Sequence, residues 1–304
     1  MLDLRRLRLL HEFSRRRTIA ATAAALGYSP SAVSQQLAAL ERQCGRALLD
    51  RTARSAQLTD AGRRLAEHAA RILAQAEAAE ADLAATADTP SGQIAISTFP
   101  TAALALTAPA VQRLRRYPEL HAVIRQANTD HGLDRLHTGE IDLALVDDWF
   151  GESTHRPASV QFIELLHDPL VLVVPQQHPL AADHDPVDLA ALTHQPWIAA
   201  PPDEPSRRAL DDLFNTLHSR PTITWEFQGL HTIVNLVAQG LGIAVTPRMA
   251  LTDRHHNLVT RNLPTPHHRT IYIAIRHTSR KRPAVTATID ALRAAANDHT
   301  TLFD

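Results

Sequence analysis

Between Leu26 and Ser31 the chain places a helix stop and a helix start on either side of a three-residue link. Gly27 can take the left-handed conformation that ends a helix, and Ser29 is a good N-cap. Pro30 suits the first helical position, where its missing N–H would have no partner anyway. The segments flanking Gly27-Tyr28-Ser29 are therefore two helices crossing at a tight turn, the helix-turn-helix geometry. Leu4, Leu7, Leu10 and Phe13 mark an earlier helix with one buried face, and Thr18 caps the next. The helix opened by Pro30 runs to about Cys44 and stops at Gly45. Such a helix projects its N-terminal side chains outward, here Ser31, Ser34, Gln35 and Gln36.

Leu48-Leu49 and Gln57-Leu58 bracket the polar stretch from Arg51 to Ser55, the pattern of a small hairpin wing. From Asp60 to about Ala87 there is no proline, and Leu65, Ile72 and Ala79 fall on one heptad position with Ala69, Ala76 and Leu83 on another. That seam either pairs with a second copy or packs on its own chain. Net charge is −1 over 304 residues, but residues 1–64 carry 12 arginines against 5 acids while the remainder carries 19 bases against 27 acids. A basic head on an acidic body is a two-function layout.

Thr89-Pro90-Ser91-Gly92 breaks the helix, after which strands alternate with helices. Strands are expected at 93–97, 122–126, 141–146, 160–165, 170–174, 197–199, 222–227, 243–245 and 270–276. Helices at 102–116, 133–137, 207–219, 231–239 and 284–296 fill most of the gaps, so the sheets should be mainly parallel. One cysteine, Cys44, excludes a disulfide scaffold and fits a reducing compartment, with the cytoplasm as default. Residues 1–17 lack a signal-peptide core, and no apolar run has spanning length, so no membrane partner is expected. A Gly-rich phosphate loop, a Gly-x-Ser-x-Gly elbow, a His-Glu-x-x-His pair and paired cysteines are all missing, and the adjacent His255-His256 and His267-His268 point apart in extended chain. No enzyme, cofactor or metal is expected.

The first ninety residues closely resemble the DNA-binding head and linker helix of LysR-type transcriptional regulators. The string that carries this is Leu4-x-x-Leu7, Thr18-Ile19, Ala23, Leu26, Ser29, Ser31-Ala32-Val33-Ser34, Leu37, Leu40-Glu41, Gly45, Leu48, Arg51 and Leu58-Thr59-x-Ala61-Gly62. The remainder resembles the family's effector domain through Tyr117-Pro118, Gly139-Glu140-Ile141-Asp142-Leu143-Ala144, Pro169 to Pro175 with His178-Pro179-Leu180-Ala181, and Val237-Ala238-x-Gly240-Leu241-Gly242-Ile243-Ala244. Pro30 stands where the family commonly has glutamine, and Arg15-Arg16-Arg17 occupies a place where a glycine is usual.

The resemblance implies a winged helix-turn-helix head (1–59), a linker and dimerisation helix (60–89) and a two-lobed α/β effector domain (92–304) resembling type 2 periplasmic binding proteins. Lobe I would comprise about 92–166 and 269–304, and lobe II about 167–268. The implied function is a sequence-specific, effector-modulated DNA-binding regulator. It would bind an interrupted palindrome of double-stranded DNA as a homodimer or dimer of dimers, with RNA polymerase as a further partner. The rival is a two-lobed small-molecule-binding protein or enzyme whose N-terminal helices serve only assembly. Candidate DNA contacts are Ser31, Ser34, Gln35 and Gln36 for base edges, with Arg51, Arg54 and Arg17 for phosphate or the minor groove. Candidate effector contacts lie in loops after strands: Thr98, Phe99, Thr101, Thr129, Asp147, Ala200, Phe227 and Thr246. Asp147 and Asp148 would repel a dicarboxylate and favour an amine or neutral ligand; their alternative is a pair of solvent-facing loop acids.

Overall fold

The computed structural model describes residues 1–51, 56–85, 89–149, 151, 156–182, 187–251 and 257–301. The head comprises α1 (Leu4–Arg16), α2 (Ile19–Leu26), α3 (Pro30–Cys44), the antiparallel wing strands β1 (Leu49–Arg51) and β2 (Ala56–Leu58), and the start of α4 (Asp60–Ala85). Each of its first three helices begins at a side-chain cap: Asp3 accepts from the Arg5 N–H at 2.8 Å, Thr18 from Ala21 at 3.1 Å, and Ser29 from Ala32 at 3.2 Å. Gly27 ends α2 at φ +69°, as the turn requires. Leu7, Leu10 and Phe13 of α1 meet Val33, Leu37 and Leu40 of α3 in one buried cluster, closed by Leu48, Ala66 and Ala69. A methyl group on Gly62 would lie 2.1 Å from the Leu48 carbonyl oxygen, so glycine is what lets the wing lie against α4. Arg17 ends α1 in the left-handed region at φ +61°, which accounts for the glycine usual at this place and costs an arginine about 1 kcal/mol.

Along α4 the heptad seam divides. Leu65 and Ala69 pack into the head core, whereas Ile72 and Leu83 are exposed at 37% and 74% in the single chain. The self-packing alternative holds for the first turns and again at Ala81, which is buried, and Glu77, which pairs with Arg276, while Ile72 and Leu83 stay open.

The second half contains β3 (Gly92–Thr98), α5 (Pro100–Ala102), a π-helical segment (Ala103–Thr107), α6 (Ala108–Leu114), β4 (Leu120–Gln126), α7 (Thr129–Thr138), β5 (Leu143–Trp149) and β6 (Val160–Pro175). It continues through β7 (Trp197–Ala199), α8 (Pro205–Thr216), β8 (Ile223–Glu226), α9 (Leu230–Ala238), β9 (Ala244–Pro247), β10 (Leu258–Asn262), β11 (His268–Arg276) and α10 (Pro283–Thr301). The π segment falls where Pro109 cannot donate to the preceding turn, so the widened turn accommodates the proline inside a continuous helix. In lobe I, α6 and α10 cover one sheet face and α7 the other; in lobe II, α8 and α9 do the same.

The sheets are more mixed than the pattern suggests. β3 pairs in parallel with β4 and β5, and β7 with β8, but β11 runs antiparallel to β5 and β6, and β6 antiparallel to β9 and β10. The expected strands at 160–165 and 170–174 are one strand, β6, which pairs with β11 as far as Pro169 and with β9 from Leu170. β6 and β11 carry the chain between the lobes in opposite directions, so each enters a sheet against its neighbours.

The head packs on lobe I of its own chain. Glu12 of α1 is only 2% exposed; it accepts from Arg16 Nε at 2.8 Å and lies 3.9 Å from His137 Nε2 of α7, while Arg16 reaches Asp134 at 3.1 Å. The His11 and His137 rings sit 5.3 Å apart. Burial, then the Arg15 and His11 charges, push His137 down to about 4 despite Glu12 and Asp134. Because this value lies below the ordinary one of about 6.5, the unfolded chain takes the proton first. Stability contributed by neutral His137 is thus complete above about pH 6.5 and declines as pH falls towards 4. Urea melts across this window should show a shallower acid decline for His137→Asn than for wild type; equal slopes would contradict the assignment.

Candidate nucleic-acid interface and ligand cleft

The buried line Val33, Leu37 and Leu40 fixes the rotation of α3, since residues three and four apart share a face. The opposite face then presents Ser31 and Gln35, both exposed, and continues to Arg42. Ser31 is braced at its start by Ser29, with 3.0 Å between the hydroxyl oxygens. Ser34 lies half-buried on one flank, and Gln36 is exposed on the other, where its amide oxygen accepts from Arg6 Nε of α1 at 3.1 Å. Gln36 thereby also links α3 to α1 at the surface. Arg17 is not on this face; with Gln57 and Arg63 it lines a groove of about 720 Å³ between α1, the wing and α4. Arg54 and the side chain of Arg51 lie outside the described residues. Arg42 was not anticipated, although its position seven residues after Gln35 is two helical turns along the same face.

The wing is aligned by the other side of α3. Glu41 Oε1 accepts from the Leu48 and Leu49 N–H groups, each at 2.9 Å, and the Thr59 hydroxyl donates to the Ala47 carbonyl at 2.8 Å. Head and wing thereby form one rigid unit presenting uncharged donors and acceptors flanked by arginines.

In the second half a cleft of about 780 Å³ opens between the lobes. Its floor is built around Arg269, 1% exposed on β11. The guanidinium donates through Nε to Asp168 at 2.9 Å, through Nη2 to the Thr101 hydroxyl at 2.7 Å, and through Nη1 to Asp147 at 3.3 Å. It also stacks under the Phe99 and Trp149 rings, 5.0 and 5.3 Å from their centroids. Asp147 is further held by the Thr129 hydroxyl at 2.8 Å and the Trp149 indole N–H at 3.0 Å. Asp168 also accepts from the Met249 N–H at 3.0 Å, so one buried ion cluster joins both lobes and the strands crossing between them.

Of the effector candidates, Phe99, Thr101, Thr129, Asp147 and Ala200 line this cleft together. Thr98, Phe227 and Thr246 are not among its lining residues. Thr98 is buried and bonded to the Thr107 hydroxyl at 3.0 Å, Phe227 stacks on Trp225 at the exposed edge of β8, and Thr246 is fully buried in β9. Asp147 and Asp148 are not the solvent-facing acids of the alternative reading: Asp147 is half-buried in the ion cluster and Asp148 is 6% exposed. Arg269 itself was not anticipated, because a lone arginine in an alternating strand gives no local sign of the acids that meet it. Arg269→Met leaves the buried Asp168 and half-buried Asp147 without their shared cation. Chemical denaturation should show a loss of about 3–5 kcal/mol; a loss under 1 kcal/mol would contradict the role given to the cluster.

Residues 4–63 match the lysR family of bacterial regulatory helix-turn-helix proteins, and residues 87–297 match the LysR substrate binding domain. The chain is 31% identical over 251 residues to the HTH-type transcriptional regulator YnfL of Escherichia coli K12, spanning 81% of this chain and 82% of that one. It is 32% identical over 284 residues to a probable hydrogen peroxide-inducible genes activator of Streptomyces viridosporus, spanning 91% and 88%. In fold it is similar to full-length OxyR from Pseudomonas aeruginosa, with a TM-score of 0.66, 23% identity, and coverage of 96% of this chain and 95% of that one.

Proposed function

This chain belongs to the LysR-type transcriptional regulators, whose members bind DNA and small-molecule effectors, form oligomers and are not enzymes, and from that membership we propose how it reads DNA and what it senses. The observation that carries the DNA reading is the exposed line Ser31, Gln35 and Arg42 opposite the buried line Val33, Leu37 and Leu40. Gln35 can pair with an adenine edge, the short serines allow the backbone close to the groove, and Arg42 reaches a guanine edge or a phosphate. Arg51, Arg54 and Arg17 supply sequence-independent phosphate contacts, and Gln36 contributes by holding α3 on α1. With Pro30 at the helix start, readout centres on Ser31 to Gln35.

One head makes too few contacts for useful specificity, so two heads bind an interrupted palindrome, paired through α4 beyond Ala69. Pairing of dimers, contact with RNA polymerase and action in the cytoplasm complete the reading. No described helix is long and apolar enough to cross a membrane.

The effector occupies the interlobe cleft. Asp130, Asp147, Asp148, Asp203, Glu204 and Asp212 line it against Arg208 and Arg269, which favours an amine-bearing or neutral molecule over a dicarboxylate. Gln35→Ala with Ser34→Ala should lower the preference for operator over random duplex about tenfold or more, with dimerisation intact. Unchanged preference in competition binding would show that α3 does not read the bases.

A further inference from the structure

Arg8, Glu12 and Arg16 follow one another at intervals of four on α1 and so share a face. That face runs antiparallel to the C-terminal half of α7. A methyl group on Gly139, just past the end of α7, would lie 3.2 Å from Arg8 Nη2; Glu12 lies 3.9 Å from His137; Arg16 lies 3.1 Å from Asp134. The clasp is anchored to the linker as well. Arg276 donates to the Leu136 carbonyl at 2.6 Å and also pairs with Glu77 of α4, whose other oxygen accepts from Thr278 at 2.6 Å.

The opposite end of α7 lies in the cleft. Asn128 caps it, accepting from the His131 N–H at 3.0 Å, and Thr129 bonds Asp147, which in turn holds Arg269. Ten residues of helix span about 15 Å, and a helix moves as a rigid rod over such a length. We propose that α7 is the lever joining the two functions: it senses the cleft at Thr129 and Asp147 and sets the position of the DNA-binding head through Asp134, His137 and Gly139. This rests on the reading of the cleft as the effector site. Ser31, Gln35 and Arg42 lie on α3 and take no part in the clasp, so docking orients the reading face without covering it. Glu12 is buried with His137 of α7 3.9 Å away, so release of the head would separate this carboxylate from that neighbour while Arg16 stays with it.

Hydrogen–deuterium exchange on the intact chain, without DNA or ligand, tests the lever. Asp134→Lys, on the far side of the contact from the head, should speed exchange in α1 about threefold or more by opposing Arg16. Thr129→Val, which removes the hydroxyl at the cleft end, should change α1 exchange in the same direction, whereas Thr129→Ser, which keeps it, should match wild type. Unchanged α1 exchange in Asp134→Lys would refute the docking, and unchanged α1 exchange in Thr129→Val would refute the transmission. Both arms are read without DNA or ligand, so their failure leaves the reading of the cleft as the effector site standing, and failure of that reading leaves the docking and transmission results intact.

Discussion

The burial of one guanidinium organises the second half of the protein. Arg269 is taken out of water where β11 returns from lobe II, a position affordable only because Asp168, Asp147 and Thr101 converge on it from three separate segments. Their convergence fixes where β5, β6 and β11 lie relative to one another and places the helix start at Thr101 on the cleft floor. The same cluster reaches α7 through Thr129 and Asp147, and α7 reaches the head. The cleft, the crossing strands and the DNA-binding unit are thus linked by hydrogen bonds and charge pairs in a protein whose net charge of −1 conceals them.

Much of the head was legible in the sequence because its determinants are local. Caps at Thr18 and Ser29, the left-handed Gly27 and the apolar spacing from Val33 to Leu40 each act within one or two turns, and the structure uses each as read. The lobes were legible as alternating strands and helices, but their sheet directions were not. Periodicity reports which residues are buried, not which strand lies alongside. A strand crossing between lobes looks like two short strands because Pro169 interrupts the apolar run where the partner changes from β11 to β9.

The cleft shows the same division. Loops after strands brought Phe99, Thr101, Thr129, Asp147 and Ala200 into view because α/β topology alone points them to one crevice. Arg269 has partners remote in sequence, which no local pattern shows, and Thr98, Phe227 and Thr246 fit the strand-end rule without being among the residues that line the cleft. Gln36 illustrates the limit within a single helix: its type suits base reading, and that its amide oxygen accepts from Arg6 depends on a neighbouring helix.

The central claim is sequence-specific recognition of DNA by paired heads, and it is tested most directly by binding of the purified protein to its own upstream intergenic DNA against a scrambled duplex across a salt series, with footprinting of the complex. The account predicts protection of two half-sites on one face of the DNA and a preference that persists as salt weakens the phosphate contacts common to both duplexes. Equal affinity for both duplexes at every salt concentration, from protein shown to be folded and dimeric, would contradict it.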